Sequence, residues 1–234
     1  MTLITVNNIS KKYRNIPAIE NISFNLKQGE LVGFLGANGA GKSTTMKVIT
    51  GILQPDKGIV TVFGHSIEEQ PVEAKKKIGY LSEDNPLPEE MYVREYLDYV
   101  ANLYNLKHVR DIVDESVLKF GLKNEFKKKI RALSKGNRQK LGLAQALIHD
   151  PDFLVLDEPT SALDPNQQME IKEIITSLSL SKIVLFSTHM LHEVENIASR
   201  IIVLKDGQLI LDEDKANIAS VENLFYSISD ENNS

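Results

Sequence analysis

The chain has 234 residues, of which 42% are hydrophobic and 25% charged, a composition that is ordinary for a globular protein. It contains no cysteine, which excludes disulfides, zinc–thiolate sites and cysteine nucleophiles. The net charge of -5 is carried by residues 212–234, so residues 1–211 are neutral overall and nucleic acid, which favours a basic surface, is not an expected partner.

The first part of the chain predicts β-strands arranged around one helix. Leu3–Val6 and Ala18–Leu26 alternate apolar and polar residues, as half-buried strands do. Leu31–Leu35 is a short apolar run that is typical of a buried strand, and the glycine-rich segment after it leads into a helical pattern over Ser43–Thr50. Gly58–Phe63 predicts one more strand.

The middle of the chain predicts a group of helices. The short apolar segment Ile78–Leu81 predicts a strand, and a proline-rich, acidic loop follows it over Ser82–Glu90. Helical patterns then dominate until Asp150-Pro151 interrupts them. We therefore expect an inserted helical subdomain over residues 84–150. The basic runs 75–77 and 127–129 are each expected to lie on a solvated helix face.

The last part of the chain alternates between strand and helix patterns. The predicted strands are Phe153–Leu156 and Ile183–Ser187, and the predicted helices are Glu170–Leu178 and His189–Ala198. Two apolar segments then flank Asp206-Gly207, which is a strong signal for a β-hairpin. Strands that alternate with helices are typical of a parallel sheet with helices on its faces.

A phosphate-binding loop is predicted between the strand Leu31–Leu35 and the helix after it. Residues 36–43 read Gly-Ala-Asn-Gly-Ala-Gly-Lys-Ser and match every fixed position of the pattern G-x-x-x-x-G-K-[ST]. Its glycines let backbone N–H groups turn towards phosphate oxygens, and the helix N-terminus attracts anions. Lys42 is expected at the β- and γ-phosphates and Ser43 on Mg²⁺. The residues predicted to hold the nucleotide are Asn38, Gly39, Ala40, Gly41, Lys42, Ser43 and Thr44.

Two acidic residues end the predicted strand Phe153–Leu156. Asp157 and Glu158 follow four apolar residues, and a buried strand does not carry two carboxylates at its end without compensation. Beside a phosphate loop, Asp157 is suited to hold Mg²⁺, directly or through water. Glu158 is suited to polarise an attacking water as a general base. The alternative is a solvent-exposed strand end without a chemical role.

These motifs define the predicted fold class. It is α/β, with a P-loop NTPase core of mostly parallel sheet, an antiparallel β part and the inserted helical subdomain. We expect a single domain over residues 1–234. Within it, 1–83 and 151–211 form the catalytic core, 84–150 the helical subdomain and 212–234 an acidic C-terminal tail.

With the segment between the two motifs, the sequence resembles the ATP-binding subunits of ABC transporters over nearly its whole length. Residues 133–139 read Leu-Ser-Lys-Gly-Asn-Arg-Gln, which is similar to the family signature Leu-Ser-Gly-Gly-Gln; Ser134 and Gly136 match, whereas Lys135 and Asn137 depart from it. Ser134 is suited to cap the following helix, whose N-terminus can meet a phosphate. In the family this helix faces the nucleotide of the other subunit, so the resemblance implies two sites shared across a head-to-tail dimer.

Three further positions carry the resemblance. Residues 161–164, Ser-Ala-Leu-Asp, resemble the D-loop that links the two sites. His189 resembles the switch histidine that contacts the γ-phosphate, and Tyr13 resembles the aromatic residue that stacks on adenine. Simple packing is the alternative for Tyr13. A metal pair with His192 is the alternative for His189, although no third ligand is evident nearby.

One position departs from the family pattern in the site itself. Glu83 follows the strand Ile78–Leu81, where the family usually has a glutamine that touches Mg²⁺ and couples the subunit to its membrane partner. Glutamate has the shape of glutamine but adds a negative charge, which could bind Mg²⁺ more tightly or place the water less well. The alternative is a solvated loop position outside the site.

The resemblance implies an enzyme, an ATPase that powers transport across a membrane. It implies ATP and Mg²⁺ as cofactors, a second ATP-binding subunit (identical or different) and a separate membrane-spanning subunit as partners. Lys135, Glu83 and the segment Met91–Leu97 resemble the exporter subgroup. No apolar run approaches the roughly 20 residues of a membrane helix, so we expect a peripheral protein on the cytoplasmic face of the cell membrane.

Two other functions are kept as alternatives. One is a soluble ATPase of this family that acts on ribosomes or in DNA repair, although such relatives usually carry two of these domains or a long coiled coil. The other is a non-catalytic regulatory subunit, although such subunits tend to lose the lysine or carboxylate that Lys42 and Glu158 provide. Membrane co-fractionation separates the first alternative, and ATP turnover separates the second.

Overall fold

The computed structural model describes residues 2–161 and 163–223, which form two β-sheets and the helices packed around them. Ala162 of the expected D-loop and residues 224–234 of the expected tail lie outside the described residues. The strands are β1 (Thr2–Tyr13), β2 (Ile16–Lys27), β3 (Leu31–Leu35), β4 (Lys57–Val62), β5 (His65–Ser66), β6 (Ile78–Leu81), β7 (Phe153–Leu156), β8 (Ile183–Thr188), β9 (Arg200–Lys205) and β10 (Gln208–Asp214). The helices are α1 (Lys42–Ile49), α2 (Pro71–Lys76), α3 (Val93–Leu103), α4 (Val109–Lys119), α5 (Lys135–Leu147), α6 (Pro165–Ser179) and α7 (Leu191–Ile197).

The larger sheet has the strand order β10-β9-β3-β8-β7-β6, and all its neighbouring strands are parallel except β10 and β9. Leu35 lies opposite Thr188 on β8, and Leu156 lies opposite both Phe186 and Leu81. The carboxyl ends of these four strands therefore meet at one edge of the sheet, where ligands bind in open α/β folds.

The smaller sheet is antiparallel, in the order β2-β1-β4-β5, and with it the predicted fold class is confirmed. β1 is longer than the predicted segment Leu3–Val6. Its register shifts between Val6 and Ile9, and Asn8 has a φ of 50°. Such an irregularity interrupts the alternation of apolar and polar side chains although the strand continues. The sequence pattern therefore predicted only the first part of β1.

The core lies on both faces of the larger sheet. On β3, Leu31 and Leu35 join the cluster formed with the helices, whereas Val32 and Phe34 join the cluster formed with the smaller sheet and α1. Gly33 lets α7 approach closely, because a Cβ there would lie 2.6 Å from Val194. A strand with apolar partners on both faces reads as a continuous apolar run, which explains the pattern of β3.

Helices α3, α4 and α5 and a short 3₁₀ turn, Ile130–Ala132, fill the chain between β6 and β7. The expectation of a helix face at residues 127–129 is wrong. These residues lie in turns and a bridge, where Lys129 pairs with Glu90 at 2.9 Å and bridges to Tyr92. A run of like charges has no helical period, so it could not locate a helix.

Some helix boundaries also differ from the predictions. α6 begins at Pro165 rather than Glu170, because Asp164 accepts a hydrogen bond from the Gln167 N–H (3.0 Å) and proline is favoured at the first position. α7 begins at Leu191, so His189 lies before the helix. The bounds of α2 and β5 were not predicted, since six and two residues are too few to show a period.

The division of the chain at residues 83, 150 and 211 remains a prediction, and β10 itself continues to Asp214. In the part of the chain that the structure describes, no helix has the length and apolar character needed to cross a membrane.

Candidate active site

The phosphate-loop residues 36–41 form the turn between β3 and α1. Gly41, immediately before α1, has a φ of 101°, and a Cβ there would lie 2.8 Å from the Ala18 carbonyl oxygen, so only glycine fits. α1 has no side-chain cap and no acidic residue in its first turn. Its first N–H groups therefore suit an anion better than any neighbouring side chain. The β9–β10 turn supports the loop, because the Gly207 N–H donates to the Ala40 carbonyl at 3.1 Å.

Lys42 is held inside this loop and is only 6% exposed. Its Nζ donates to the carbonyl oxygens of Gly36 (2.7 Å) and Ala37 (3.2 Å). An ammonium has three N–H donors, so one remains for a phosphate oxygen. Burial lowers the pKa of Lys42, while nearby carboxylates, first that of Glu158 and then that of Asp157, act to raise it.

A cleft of about 440 Å³ opens beside the loop, at the carboxyl edge of the larger sheet. It brings together nine of the residues predicted for the site, Ser161 of the expected D-loop and Ala18, which was not predicted. The eleven lining residues are Ala18, Asn38, Gly39, Gly41, Lys42, Ser43, Thr44, Glu83, Glu158, Ser161 and His189. One cavity therefore joins the phosphate loop to both carboxylate-bearing strand ends.

Glu158 and His189 form a pair just after the carboxyl ends of the neighbouring strands β7 and β8. The His189 Nδ1 lies 2.9 Å from Glu158 Oε2, and since an ionised carboxylate only accepts hydrogen bonds, Nδ1 carries the proton in that state. Burial raises the pKa of Glu158, whereas His189 and Lys42 lower it. Glu158 also has a φ of 49°, a region that costs a non-glycine residue about 1–3 kcal/mol and is found at functional sites.

Ser187 holds both acidic residues in place. Its Oγ donates to Asp157 Oδ1 at 2.7 Å and accepts from the Glu158 N–H at 2.8 Å. Sequence reasoning missed this residue, although a serine at the end of an otherwise apolar strand was a signal for it. It did not find Thr160 or Glu193 either, which lie behind the cleft and are buried.

The oxygen ligands available at the cleft fit a small, hard cation. Ser43 and Glu83 line the cleft, and the charge of Asp157 acts on Lys42 within it. Hydroxyl and carboxylate oxygens suit Mg²⁺, which takes few protein ligands and completes its shell with phosphates and water. Over residues 2–161 and 163–223, no three acidic or histidine side chains converge as a metal site by themselves.

Four of the predicted residues lie away from the cleft surface, and a fifth, Ala40, lies within the loop. Asp157 is beneath the surface. Tyr13 ends β1 and is about half exposed. Ser134 and Gly136 lie at the start of α5, where Ser134 Oγ accepts from the Asn137 N–H at 3.2 Å, as predicted for a cap.

We expect Glu158→Gln to stabilise the fold at neutral pH. The folded-state pKa of Glu158 is raised by burial, so the folded state favours the protonated carboxyl, and stability is lost as pH rises from the unfolded-state pKa through the folded one. An amide has no such loss. Urea unfolding should therefore show similar stabilities of the two proteins near pH 4. The advantage of Glu158→Gln should grow as pH rises through the folded-state pKa of Glu158 and then stay constant. Glu195→Gln, which changes an exposed residue of α7, should show no such trend.

Comparisons with known proteins found a matching family model and similar sequences. A family model described as ABC transporter matches residues 19–161. The chain is 34% identical over 216 residues to the ABC transporter ATP-binding protein NatA of Bacillus subtilis (strain 168), an alignment that covers 89% of this chain and 88% of NatA. It is 32% identical over 235 residues to the bacitracin transport ATP-binding protein BcrA of Bacillus licheniformis, covering 99% of this chain and 76% of BcrA.

A solved structure matches at the level of the fold. It is the dimeric structure of an ATP-binding cassette in a post-hydrolysis state with ADP and Pi. The TM-score is 0.84 at 26% identity, and the match covers 91% of this chain and 99% of that one.

Proposed function

The chain belongs to the family of ABC transporter ATP-binding subunits, and from this membership we propose that it drives an exporter whose membrane-spanning subunit is a separate chain. As a member of this family it is an ATPase that powers transport. Outward transport is supported by the resemblance of Lys135 and Glu83 to the exporter subgroup. Peripheral association with the cytoplasmic face of the membrane follows from the proposed membrane partner.

The observation that carries the proposed mechanism is the shared cleft. Lys42 lines the same cavity as Glu158 and His189, whose Oε2 and Nδ1 atoms lie 2.9 Å apart. A phosphate chain bound to the loop would therefore end beside the Glu158 carboxylate. Glu158 accepts a proton from the attacking water. Lys42 and the N–H groups of α1 stabilise the charge on the transferring phosphoryl group. His189 donates to the carboxylate through Nδ1, and with its ring protonated on both nitrogens it also donates from Nε2 to the γ-phosphate.

The proposed metal ligands are Ser43, Asp157 and Glu83, in line with their oxygen chemistry. Bound there with the nucleotide, Mg²⁺ would neutralise charge on the β- and γ-phosphates. The adenine contact is proposed for Tyr13, whose half-exposed ring belongs to the hairpin that carries Ala18 to the cleft.

A second subunit is proposed to complete each site. Ser134 is exposed at the capped N-terminus of α5 but does not line the cleft of its own chain. A helix N-terminus attracts phosphate, so Ser134 and Gly136 are suited to the nucleotide of a partner. The dimeric state of the solved ADP-bound cassette supports this arrangement. Closure of the two subunits around ATP would then be transmitted to the membrane subunit through the loop 83–95.

Glu83→Gln is expected to keep kcat within about threefold of the wild type, because an amide oxygen can still bind a cation. Loss of a general base, by contrast, lowers the rate by a far larger factor. Glu83 is also one of the charges that raise the pKa of Glu158, so the acid limb of the rate should move to lower pH. The pH dependence of steady-state turnover measures both. Asp84→Asn, which removes a neighbouring charge outside the cleft lining, is the control, and a collapse of turnover in Glu83→Gln alone would mean that the carboxylate is required.

The experiment for the whole proposal is affinity capture of tagged Glu158→Gln protein from its native membranes with ATP and Mg²⁺. Recovery of a multi-span membrane protein is the expected result, and its identity would point to the cargo. Recovery of ribosomes or nucleic acid without a membrane protein would favour the soluble alternative instead.

A further inference from the structure

Glu193 on α7 is a buried carboxylate with no part in the mechanism described above. It is 1% exposed, and its Oε2 accepts hydrogen bonds from Thr160 Oγ1 (2.9 Å) and Thr188 Oγ1 (2.8 Å). Lys172 Nζ, from α6, lies 3.1 Å from the other oxygen, Oε1. A buried carboxylate is costly unless it is paired, so the lysine and the two hydroxyls together explain how this one is tolerated.

The two threonines belong to the segments that carry the catalytic pair. Thr160 lies two residues after Glu158, and Thr188 lies immediately before His189. The Thr188 hydroxyl also accepts from the Met190 N–H at 3.0 Å, so hydrogen bonds hold the chain on both sides of His189. One carboxylate oxygen of Glu193 therefore joins the loop after β7 to the end of β8, behind the 2.9 Å contact between Glu158 and His189.

We propose that Glu193 is a positioning residue, which sets the distance between the Glu158 carboxylate and the His189 ring by tying their two segments together. The inference rests on the proposed roles of Glu158 and His189. Two hydrogen bonds to one buried carboxylate oxygen restrict the two segments, and a misplacement of about 1 Å in catalytic geometry can cost about 100-fold in rate. Among the described residues, no side-chain hydrogen bond or ion pair joins the nucleotide-binding residues 36–44 to this network.

The test removes the two hydroxyls and leaves their volume. Thr160→Val/Thr188→Val is expected to lower kcat for ATP by about 10- to 100-fold, with KM changed by less than about threefold, since the phosphate loop is untouched. The matched control, Thr160→Ser/Thr188→Ser, keeps both hydroxyls and should keep kcat within about threefold of the wild type. Steady-state turnover and thermal unfolding of the full chain give both kinetic constants and the folded fraction.

Each outcome decides the matter. A folded valine variant with wild-type kcat would overturn the inference, even if it unfolds at lower temperature, because the network would then serve stability alone. Equal losses of kcat in the valine and serine variants would overturn it too. If the double valine variant does not fold, Thr188→Val alone takes its place, with a loss of kcat of at least about threefold expected and wild-type kcat counting against the inference. Glu158→Gln, measured alongside, distinguishes failure of the proposed function from failure of this inference. Normal turnover in that variant would contradict the role of Glu158 as general base, not the positioning role of Glu193.

Discussion

Glu158→Gln is expected to lower ATP turnover by about 100- to 10,000-fold, the contribution of a general base, and to leave ATP binding intact. The amide has the shape of the carboxylate and keeps an oxygen within reach of His189, but it cannot take a proton from water. Residues 36–44, which hold the phosphates in the proposed mechanism, are not altered. Single-turnover hydrolysis and equilibrium binding of ATP measure the two effects separately.

The same variant should accumulate as a closed dimer when ATP and Mg²⁺ are present. In the proposed cycle, hydrolysis reopens the two subunits, so a chain that binds ATP without hydrolysing it remains closed. Size-exclusion chromatography with light scattering should show twice the mass of one chain with ATP and not with ADP. Glu195→Gln, at an exposed position, should behave as the wild type. Normal hydrolysis by Glu158→Gln would remove Glu158 as the general base.

The parts of the site that could be predicted from the sequence are those formed by residues close together along the chain. The loop at residues 36–43 is contiguous and has a fixed order of glycines, lysine and serine. Asp157 and Glu158 stand directly after an apolar strand, and the parallel sheet brings that strand end to the loop. Periodicity and turn chemistry act over a few residues, so the fold class and most strands followed from them.

The parts that could not be predicted depend on contacts between distant segments. Thr160 and Glu193 are 33 residues apart, and no sequence pattern near either residue predicts their hydrogen bond. Gly207 was predicted as a hairpin residue, but its support of Ala40 in the phosphate loop emerged only with the sheet order. The left-handed φ of Glu158 is likewise imposed by its surroundings, since glutamate has no preference for that region.

Lys42→Met is expected to weaken ATP binding by about 10- to 150-fold, because a hydrogen bond to a charged group contributes about 1.5–3 kcal/mol. Turnover should fall further, below detection, since the charge on the transferring phosphoryl group loses its lysine. Methionine nearly fills the volume of the lysine stem in the buried loop, but it leaves the carbonyls of Gly36 and Ala37 without their donor, so the free energy of unfolding should fall by about 1–3 kcal/mol. Titration with a fluorescent ATP analogue and thermal unfolding measure the two effects.

Lys47→Met is the matched control for that loss, because it removes a lysine from the last turn of the same helix, at the end away from the phosphate loop. It should bind ATP as the wild type does. Equal weakening in both variants would mean that the net charge of α1 attracts the nucleotide, not a bond from Lys42. Unchanged binding in Lys42→Met would place the phosphates elsewhere in the cleft. The positions of Gly36 and Ala37, whose carbonyls hold the Nζ at 2.7 and 3.2 Å, favour the specific bond, because they aim a single ammonium at the loop's interior.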